Sequence, residues 1–372
     1  MKILVISPVY TLSGVPLAQL RLARALGEIG HDVDLIYGKK KYPKLPKEKN
    51  VKIIFLNKLK TLGMFFPMIK YIFFKKPDVI FSAEDHLNSL VALACIITFS
   101  KAKISVSSRV TPLDTYKNSN IIFSKNWFLK KLFPIVNSRA DVLTCVSKDM
   151  VKQYKKIFPY SKQTCVYNIV VTKDSYDKMK KKHVPKWFRD KKNKTIIATG
   201  SLAKWKGFDD LIKSISIICK KYKKYNFKLA IIGEGPEKDS LNKLILKNKL
   251  QNKVRIFKPV INILKYFFNS DIFVLSSKVE GMPNVMLEAM MCGCTVVSTN
   301  CKTGPREIIG KNKFGYLAKV NNPEDLSKKI IFALNKKINK NKTIKILKKF
   351  STNQVLKKHF SLLKIKRRNW LI

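Results

Sequence analysis

Short apolar runs alternate with helical patterns along most of the chain. Six such runs lie in the first half, at residues 2–7, 32–37, 51–56, 78–82, 103–107 and 141–146. Helical patterns separate most of them, at residues 16–27, 59–74, 86–99 and 125–137. Buried strands that alternate with helices are typical of a parallel sheet covered on both faces. The sequence therefore predicts an α/β fold built on a doubly wound parallel sheet.

The alternation stops once and then resumes, which indicates two domains. Residues 172–194 are polar, rich in lysine and interrupted by proline, as expected of a linker. Strand-like runs return at residues 195–199, 228–232, 253–257, 271–275 and 295–298, and helical patterns at 209–220, 236–248, 263–268 and 284–291. The 372 residues suffice for two cores of ordinary size.

We therefore predict two Rossmann-like domains that face a cleft, with ligands at the carboxyl ends of the strands. The predicted parts are an N-terminal domain at residues 1–171, a linker at 172–194, a C-terminal domain at 195–340, and a basic helical segment at 341–372. We expect the last segment to pack back toward the N-terminal domain.

The charge of the chain is strongly positive. Lysine and arginine contribute 75 residues against 24 aspartates and glutamates, a formal net charge of +51. Three explanations stay open: nucleic acid, an anionic surface such as a bilayer, and a biased coding composition that places lysine on solvated faces. Basic residues are interleaved with large apolar ones at 65–76, 127–133 and 359–372, which suits a membrane interface. We therefore predict an anionic membrane surface as a partner and no nucleic acid.

The apolar segments are too short to predict a membrane-spanning helix. The longest clean apolar run, residues 90–99, is about half of what a span requires. The start of the chain, MKILVISPVY, reads as a first strand rather than a signal peptide. We expect a cytoplasmic protein that is peripheral on the cytoplasmic face of the inner membrane.

Two glutamates flank the predicted start of a late helix. Glu280 and Glu288 are separated by seven residues, and a glycine-proline turn between them predicts a helix from Asn284. A helix N-terminus offers free backbone N–H groups and a positive dipole end, which suits a phosphate. An ionised carboxylate accepts hydrogen bonds from sugar hydroxyls. The pattern therefore predicts a nucleotide-sugar, in which a diphosphate lies between two sugars.

Two glycine-containing turns join predicted strands to predicted helices. The first, GSLAKWKG at 200–207, would let the backbone approach a ligand and place Lys204 or Lys206 beside a diphosphate. The second, GEGP at 233–236, would let a base or ribose approach closely. A plain strand-to-helix turn is the alternative for each segment taken alone.

Four segments of the C-terminal half resemble, in order and spacing, the retaining family 4 glycosyltransferases, also called glycosyl transferases group 1. They are TGSLAKWKGFDDLI, IIGEGPEKDSLNKLI, DIFVLSSKVEGMPNVMLEAMMCGCTVVST and TGPREII. The N-terminal half is similar in layout, from KILVISPVY through LARALGEIGHDVDLI to ADVLTCVSKDMV. The resemblance implies a GT-B fold, with an acceptor-binding N-terminal domain and a nucleotide-sugar-binding C-terminal domain. The sequence EGMPNVMLEAM is similar to that of the branch of the family that adds N-acetylgalactosamine, or the sugar of a related UDP-sugar, to bacterial surface glycans.

The resemblance implies a role for each matching residue. Glu280 would hold hydroxyls of the donor sugar, Glu288 would bind the ribose, and Lys206 would neutralise the leaving diphosphate. Gly14 would let a loop of the N-terminal domain close over the diphosphate. The other donor-binding positions implied are Gly281, Met282, Pro283, Asn284, Val285, Ser201, Lys204, Gly233 and Gly235.

The chain departs from the family pattern at three positions. Ser201 stands where an arginine often binds phosphate, and Lys204 is a candidate substitute. Only one glycine, Gly14, remains of a glycine pair. Arg109 stands where many members carry a histidine near the anomeric carbon, so no catalytic histidine is assigned. Arg109 and His86 are acceptor-side candidates, with a helix cap or a solvated side chain as the alternative for His86.

These inferences predict a retaining glycosyltransferase that moves a hexose or N-acetylhexosamine from a UDP-sugar to a lipid-linked or free glycan in surface polysaccharide biosynthesis. Asp32 and Asp34 form a D-x-D motif on a predicted strand, before any donor loop, so we assign no metal site and no cofactor. Two other classes stay open. One is a basic nucleic-acid-binding protein, and the other is a pseudo-enzyme that binds the donor without turnover.

Overall fold

The computed structural model describes residues 1–42, 48–181, 184–189, 192–222 and 224–366. It divides into two compact units. The first combines Met1–Val170 with the described residues from Phe350 onward, and the second is Val171–Lys349. Each unit is organised around one parallel sheet.

The first unit contains a seven-stranded sheet. Its strands are β1 (Lys2–Tyr10), β2 (Asp32–Lys40), β3 (Lys52–Phe55), β4 (Val79–Ala83), β5 (Lys103–Ser108), β6 (Val142–Cys145) and β7 (Thr164–Cys165). They lie in the order β3-β2-β1-β4-β5-β6-β7, and all paired strands are parallel. The accompanying helices are α1 (Gly14–Glu28), α2 (Phe65–Lys75), α3 (Asp85–Ile97), α4 (Pro112–Thr115), α5 (Lys125–Arg139) and α6 (Lys148–Ile157), with a 3₁₀ helix at Thr61–Met64.

The second unit contains a six-stranded sheet. Its strands are β8 (Lys194–Thr199), β9 (Phe227–Ile232), β10 (Val254–Phe257), β11 (Ile272–Leu275), β12 (Thr295–Thr299) and β13 (Tyr316–Ala318), in the order β10-β9-β8-β11-β12-β13. Its helices are α7 (Ser175–Lys180), α8 (Lys186–Arg189), α9 (Phe208–Lys221), α10 (Lys238–Lys247), α11 (Leu264–Phe268), α12 (Asn284–Met291), α13 (Pro305–Ile309), α14 (Pro323–Asn335) and α15 (Lys340–Leu347). Two 3₁₀ helices lie at Lys204–Lys206 and Lys348–Phe350.

The central strands are apolar on both faces because helices cover both faces of each sheet. In β1, the four residues from Ile3 to Ile6 have no exposed surface, and Ile196 and Ile197 in β8 are equally buried. Such continuous apolar strands are the pattern of parallel sheets. The prediction of two doubly wound parallel sheets is therefore confirmed.

The order of strands reverses once in each sheet. The chain crosses from the β1 side to β4 in the first unit, and from the β8 side to β11 in the second. Open α/β sheets bind their ligands at the carboxyl ends of the strands next to such a reversal. The segments of interest are therefore the loops after β1, β4 and β5, and those after β8 and β11.

The last described helix, α16 (Thr352–Leu362), belongs to the first unit. Val355, Leu356 and Phe360 lie in the same buried cluster as the residues of β1 and α1. Just after the helix, the backbone oxygen of Leu363 accepts a hydrogen bond of 2.6 Å from Lys103 Nζ. The apolar residues at 359–363 thus serve the core of the first unit, whereas residues 367–372 of the predicted segment lie outside the described residues.

Several short elements of the structure are not predicted by the sequence pattern. The predicted linker at 172–194 carries α7 and α8 and belongs to the second unit, where α7 packs against α11. In α7 only Ser175 and Met179 are buried, so its remaining side chains give the segment a polar appearance. The edge strands β7 and β13 have two and three residues, too few to produce a recognisable period.

Candidate active site

Lys206 and Glu280 form an ion pair beside the carboxyl ends of β8 and β11. Lys206 ends the 3₁₀ helix after β8, and Glu280 lies in the loop between β11 and α12. The distance from Lys206 Nζ to Glu280 Oε1 is 2.6 Å, and the side chains are 20% and 12% exposed. Ser277 Oγ donates a second hydrogen bond of 2.7 Å to the same carboxylate oxygen. A cation and a carboxylate that can accept hydrogen bonds from hydroxyl groups thus lie side by side in a partly buried position.

The backbone around this ion pair is fixed by close contacts between the two loops. Ser276 Oγ donates a hydrogen bond of 2.8 Å to the backbone oxygen of Lys206. The N–H of Lys278 donates one of 2.7 Å to the backbone oxygen of Trp205. Gly207 has a φ of 62°, and a Cβ built there would lie 2.2 Å from the oxygen of Ser276. Only glycine therefore lets Lys206 reach Glu280 along this path.

The two predicted glycine turns pack against each other. A Cβ on Gly233 would lie 2.0 Å from the backbone oxygen of Gly200, and one on Gly235 would lie 2.5 Å from that of Leu202. The close packing of the two turns therefore accounts for glycine at both positions, independently of any contact with a ligand. Ser201 and Lys204 are exposed in the first of these turns, so both remain candidates for a phosphate contact.

Helix α12 begins where the sequence predicts it, at Asn284, with Pro283 as its N-cap residue. The first N–H groups of a helix have no partner within it. Gly281 and Val285 are partly exposed at this N-terminus, whereas Met282, Pro283 and Asn284 are buried. Glu288 follows one turn later and is only 4% exposed.

The loop after β12 supports the segment that carries Glu280. Thr303 Oγ1 donates a hydrogen bond to the backbone oxygen of Glu280. Gly304 has a φ of 85°, and a Cβ there would lie 2.7 Å from the oxygen of Gly281. The sequence reveals these residues only as part of the TGPREII motif. Ser277, Thr303 and Gly304 are thus supporting residues that the sequence reasoning did not assign.

The buried thiol of Cys301 also belongs to this support. Its Sγ donates a hydrogen bond of 2.8 Å to the backbone oxygen of Ser277. Burial raises the pKa of Cys301 to about 11, so the group stays a neutral thiol at physiological pH. Its contribution is therefore to packing and hydrogen bonding beneath Glu280.

The other predicted site residues lie in the first unit. Gly14 begins α1 and is exposed, and a Cβ built on it would meet no atom within 4 Å from the described residues beyond its own stretch of helix. Arg109 follows β5, and its guanidinium donates hydrogen bonds to Asn168 Oδ1 and, at 3.2 Å, to Gln19 Oε1. Burial lowers the pKa of Arg109 to about 10, which leaves it positively charged at neutral pH.

His86 lies in the first turn of α3, close to a carboxylate that the sequence reasoning missed. Its Nε2 lies 3.4 Å from Glu84 Oε2, and the two side chains are 29% and 24% exposed. Burial, and after it the charge of Lys125, lower the pKa of His86 to about 4, so its imidazole is neutral at pH 7. Burial and the neighbouring Asp85 raise the pKa of Glu84 to about 7.

The D-x-D motif of β2 is engaged in the fold of the first unit. Asp34 is buried and accepts a hydrogen bond from the hydroxyl of Tyr71, whereas Asp32 is exposed at the start of the strand. Within the described ranges, no group of three His, Cys, Asp or Glu side chains is arranged to hold a metal ion. In the same part of the chain, no helix is long and apolar enough to cross a bilayer.

Two family models match the chain. A model described as Glycosyltransferase Family 4 matches residues 13–174, and one described as Glycosyl transferases group 1 matches residues 179–350. The first match falls within the first unit for almost all of its length, and the second match, apart from its last residue, falls within the second unit. The two family models together therefore match nearly the whole described chain.

Two curated relatives are glycosyltransferases. An uncharacterized glycosyltransferase of Methanocaldococcus jannaschii is 31% identical over 67% of this chain and 62% of its own length. The N-acetylgalactosamine-N,N'-diacetylbacillosaminyl-diphospho-undecaprenol 4-alpha-N-acetylgalactosaminyltransferase of Campylobacter jejuni is 30% identical over 63% of this chain and 61% of its own length. The match thus spans less than two thirds of either relative.

Solved structures share the fold over almost the full chain. Anabaena HepE in complex with UDP-glucose has a TM-score of 0.78 at 16% identity, covering 98% of this chain and 99% of that one. A glycosyltransferase from Rickettsia africae has a TM-score of 0.74 at 21% identity, with the same coverage of both chains. The predicted GT-B fold is therefore confirmed.

Proposed function

Since the chain belongs to the family 4, or group 1, glycosyltransferases, we propose that it moves a hexose or N-acetylhexosamine from a UDP-sugar to a glycan acceptor, with retention of configuration. The acceptor would be linked to a lipid diphosphate, and the reaction would need no metal ion. The observation that carries the proposal is the contact of Lys206 with Glu280 beside the N-terminus of α12. A binding site for a sugar diphosphate needs a cation next to a group that accepts hydrogen bonds from the sugar hydroxyls. Lys206 is such a cation, and the carboxylate of Glu280 is such a group.

The donor assignment has two further supports. The N-terminus of α12 provides backbone N–H groups and a positive dipole end at Gly281–Val285, which suit a diphosphate. Anabaena HepE, which has the same fold, was solved with UDP-glucose. We therefore assign Glu280 to hydroxyls of the donor sugar and Glu288 to the ribose.

The acceptor assignment is based on a relative. The Campylobacter jejuni protein acts, by its name, on a saccharide carried by diphospho-undecaprenol. The +51 charge of this chain favours an acceptor with a diphosphate near an anionic bilayer. A lipid-diphosphate-linked glycan satisfies both considerations.

The proposed mechanism follows from where charge develops. Breaking the bond between sugar and diphosphate leaves negative charge on the departing oxygen, which Lys206 and the N-terminus of α12 would stabilise. The acceptor hydroxyl would attack the anomeric carbon on the face that the diphosphate leaves. Attack on this face retains the configuration without a protein nucleophile, and the proton of the hydroxyl would pass to the departing phosphate oxygen. Because Lys206 supplies the cation, we propose that no metal ion is required.

Replacement of Lys206 tests the assignment. We expect Lys206→Ala to lower kcat about 10²–10³-fold, the usual effect of removing one group that stabilises transition-state charge. The assay uses UDP-N-acetylgalactosamine and polyprenyl-diphosphate-linked N-acetylgalactosamine, with the product identified by mass spectrometry. Lys213→Ala is the matched control, since Lys213 is an exposed lysine of α9 whose ion-pair partners are Asp209 and Asp210.

Other outcomes would favour the other classes of protein. Undiminished transfer by Lys206→Ala would remove this residue from the mechanism. Donor binding without turnover on any lipid-linked acceptor would favour a pseudo-enzyme. Tight, sequence-dependent binding of a polynucleotide at physiological salt would favour a nucleic-acid-binding protein.

We also propose that the first unit binds an anionic membrane surface. Helix α2 packs against α3, and its residues Met68 and Ile72 are buried, while Phe66 and Phe74 are 78% and 68% exposed on its other side. Exposed aromatic side chains next to several lysines suit an interface with acidic lipids. In the second predicted segment, 127–133, Phe128 is exposed whereas Phe133 is buried, so only part of that segment is available for such contact.

A further inference from the structure

The loop after β4 brings three consecutive polar side chains to the reversal point of the first sheet. Glu84 follows β4 directly, and Asp85 and His86 open α3. This place in the sheet is where open α/β folds bind ligands. None of the roles assigned so far involves the carboxylate of Glu84.

The two neighbouring carboxylates differ in their surroundings. Asp85 accepts hydrogen bonds from Ser108 Oγ at 2.6 Å and from the hydroxyl of Tyr154 at 2.9 Å, so it ties α3 to β5 and α6. The side chain of Glu84 is 24% exposed, and its close polar neighbour among the described residues is Nε2 of His86 at 3.4 Å. Asp85 is therefore structural, whereas Glu84 keeps capacity to bind a ligand.

Arg109 adds a fixed positive charge to this place. Its two terminal nitrogens are held by Asn168 and Gln19, and its Nε is buried without a hydrogen-bond partner among the described residues. Its charge acts on Glu84 and favours the ionised carboxylate.

We propose that Glu84 and His86 together bind one hydroxyl of the acceptor sugar. This inference rests on the proposed function and assigns the acceptor side of the same reaction. A hydroxyl donates one hydrogen bond and accepts others, so the carboxylate can accept from it while a neutral imidazole N–H donates to it. The φ of Glu84 is 81°, a conformation that costs free energy for a residue other than glycine and is common at functional sites.

The charges around Glu84 predict a pH dependence for acceptor binding. Burial and Asp85 raise the pKa of Glu84 to about 7, while Arg109 and Lys125 act in the opposite direction. The pKa of His86 is lowered to about 4, so this imidazole does not titrate near neutrality. Affinity for the acceptor is therefore expected to increase as pH rises through about 7, as Glu84 ionises.

The test compares Glu84→Gln with Glu28→Gln, a control at an exposed glutamate at the end of α1. Steady-state kinetics use UDP-N-acetylgalactosamine and polyprenyl-diphosphate-linked N-acetylgalactosamine, and hydrolysis of the donor is followed without acceptor. We expect Glu84→Gln to raise the KM of the acceptor about tenfold or more, as loss of a charge-assisted hydrogen bond does. The KM of the donor and its hydrolysis should stay within about twofold, and the pH dependence of the acceptor KM near 7 should disappear. His86→Ala should raise the same KM.

The outcomes separate this inference from the proposed function. If the native chain transfers sugar and both variants keep the native acceptor KM, the assignment of Glu84 and His86 is wrong while the proposed function stands. An equal increase in the donor KM would move both residues to the donor side and also contradict the assignment. A native chain that neither hydrolyses the donor nor transfers its sugar would overturn both proposals.

Discussion

At the scale of single residues, the first unit keeps several titratable groups in unusual surroundings. His359 of α16 is 7% exposed, and its ring meets that of Phe81 edge to face at 5.2 Å between centroids. Its Nδ1 is buried without a hydrogen-bond partner among the described residues. Burial, and after it the charge of Arg109, lower the pKa of His359 to about 3. The imidazole is therefore neutral in the folded chain.

This histidine predicts how stability changes in mild acid. Below pH 6.5 the unfolded chain binds a proton at His359 that the folded chain does not bind, so the free energy of unfolding falls as pH falls from 6.5 toward 3. Between pH 7 and pH 5 this group alone should remove about 2 kcal/mol. Chemical denaturation of the native chain and of His359→Met at both pH values measures the difference. Equal losses of stability in the two proteins between pH 7 and pH 5 would contradict the prediction. Between pH 7 and pH 8, His359 should have little effect on the free energy of unfolding.

Single residues also mark the limit of what the sequence predicts about the site. The E-x₇-E spacing identified Glu280 and Glu288, and the strand-turn-helix motif identified Lys206. Their roles stay predictions. The sequence did not indicate Glu84, because its positive φ and the burial that shifts its pKa arise from how β4, α3 and β5 pack together. Such properties depend on tertiary contacts rather than on spacing.

At the scale of elements, loops rather than helices shape the candidate donor site. The loop after β12 supports the one before α12, and the turn after β8 packs against the turn after β9. Long apolar strands and amphipathic helices were predicted because their periods recur over many residues. The contacts between loops carry no period, so the sequence could name their glycines but not their partners.

Replacing each of two glycines in turn distinguishes an effect on folding from an effect on function. Gly304→Ala places a Cβ 2.7 Å from the oxygen of Gly281 at a φ of 85°, and we expect it to cost roughly 1–3 kcal/mol of stability and to disturb the loop of Glu280. The new Cβ of Gly14→Ala would have open space around it in the described part of the chain, so this change should leave stability unchanged or slightly higher. Thermal denaturation and transfer assays on both variants check this.

The Gly14 variant also isolates one proposed role. If Gly14 provides backbone freedom for a loop that closes over the diphosphate, its replacement lowers kcat while Tm is kept. Full activity of Gly14→Ala would remove that role. An unaltered Tm for Gly304→Ala would contradict the steric argument.

At the scale of the whole molecule, the positive charge and the exposed aromatic side chains of α2 point to a surface partner. We expect the chain to float with vesicles that contain acidic lipid, and to do so less as the acidic fraction falls. Replacing both Phe66 and Phe74 by serine should weaken binding by roughly tenfold or more, because each ring contributes apolar area to the interface. Phe332→Ser is the control, since this exposed ring lies on α14 of the second unit. Flotation that ignores lipid charge, or an equal loss in the control, would contradict the proposal.

The return of the chain to its first unit has a consequence for synthesis on the ribosome. Val355, Leu356 and Phe360 are almost fully buried in that unit, and each such side chain stabilises a fold by about 1.5–3 kcal/mol. Their sum is comparable with the whole stability of an ordinary domain. The first unit therefore cannot complete its core before residues 355–360 have been translated, whereas the residues of the second unit all precede them. We therefore expect the second unit to complete its core before the first, in contrast with the usual N-terminal-first order.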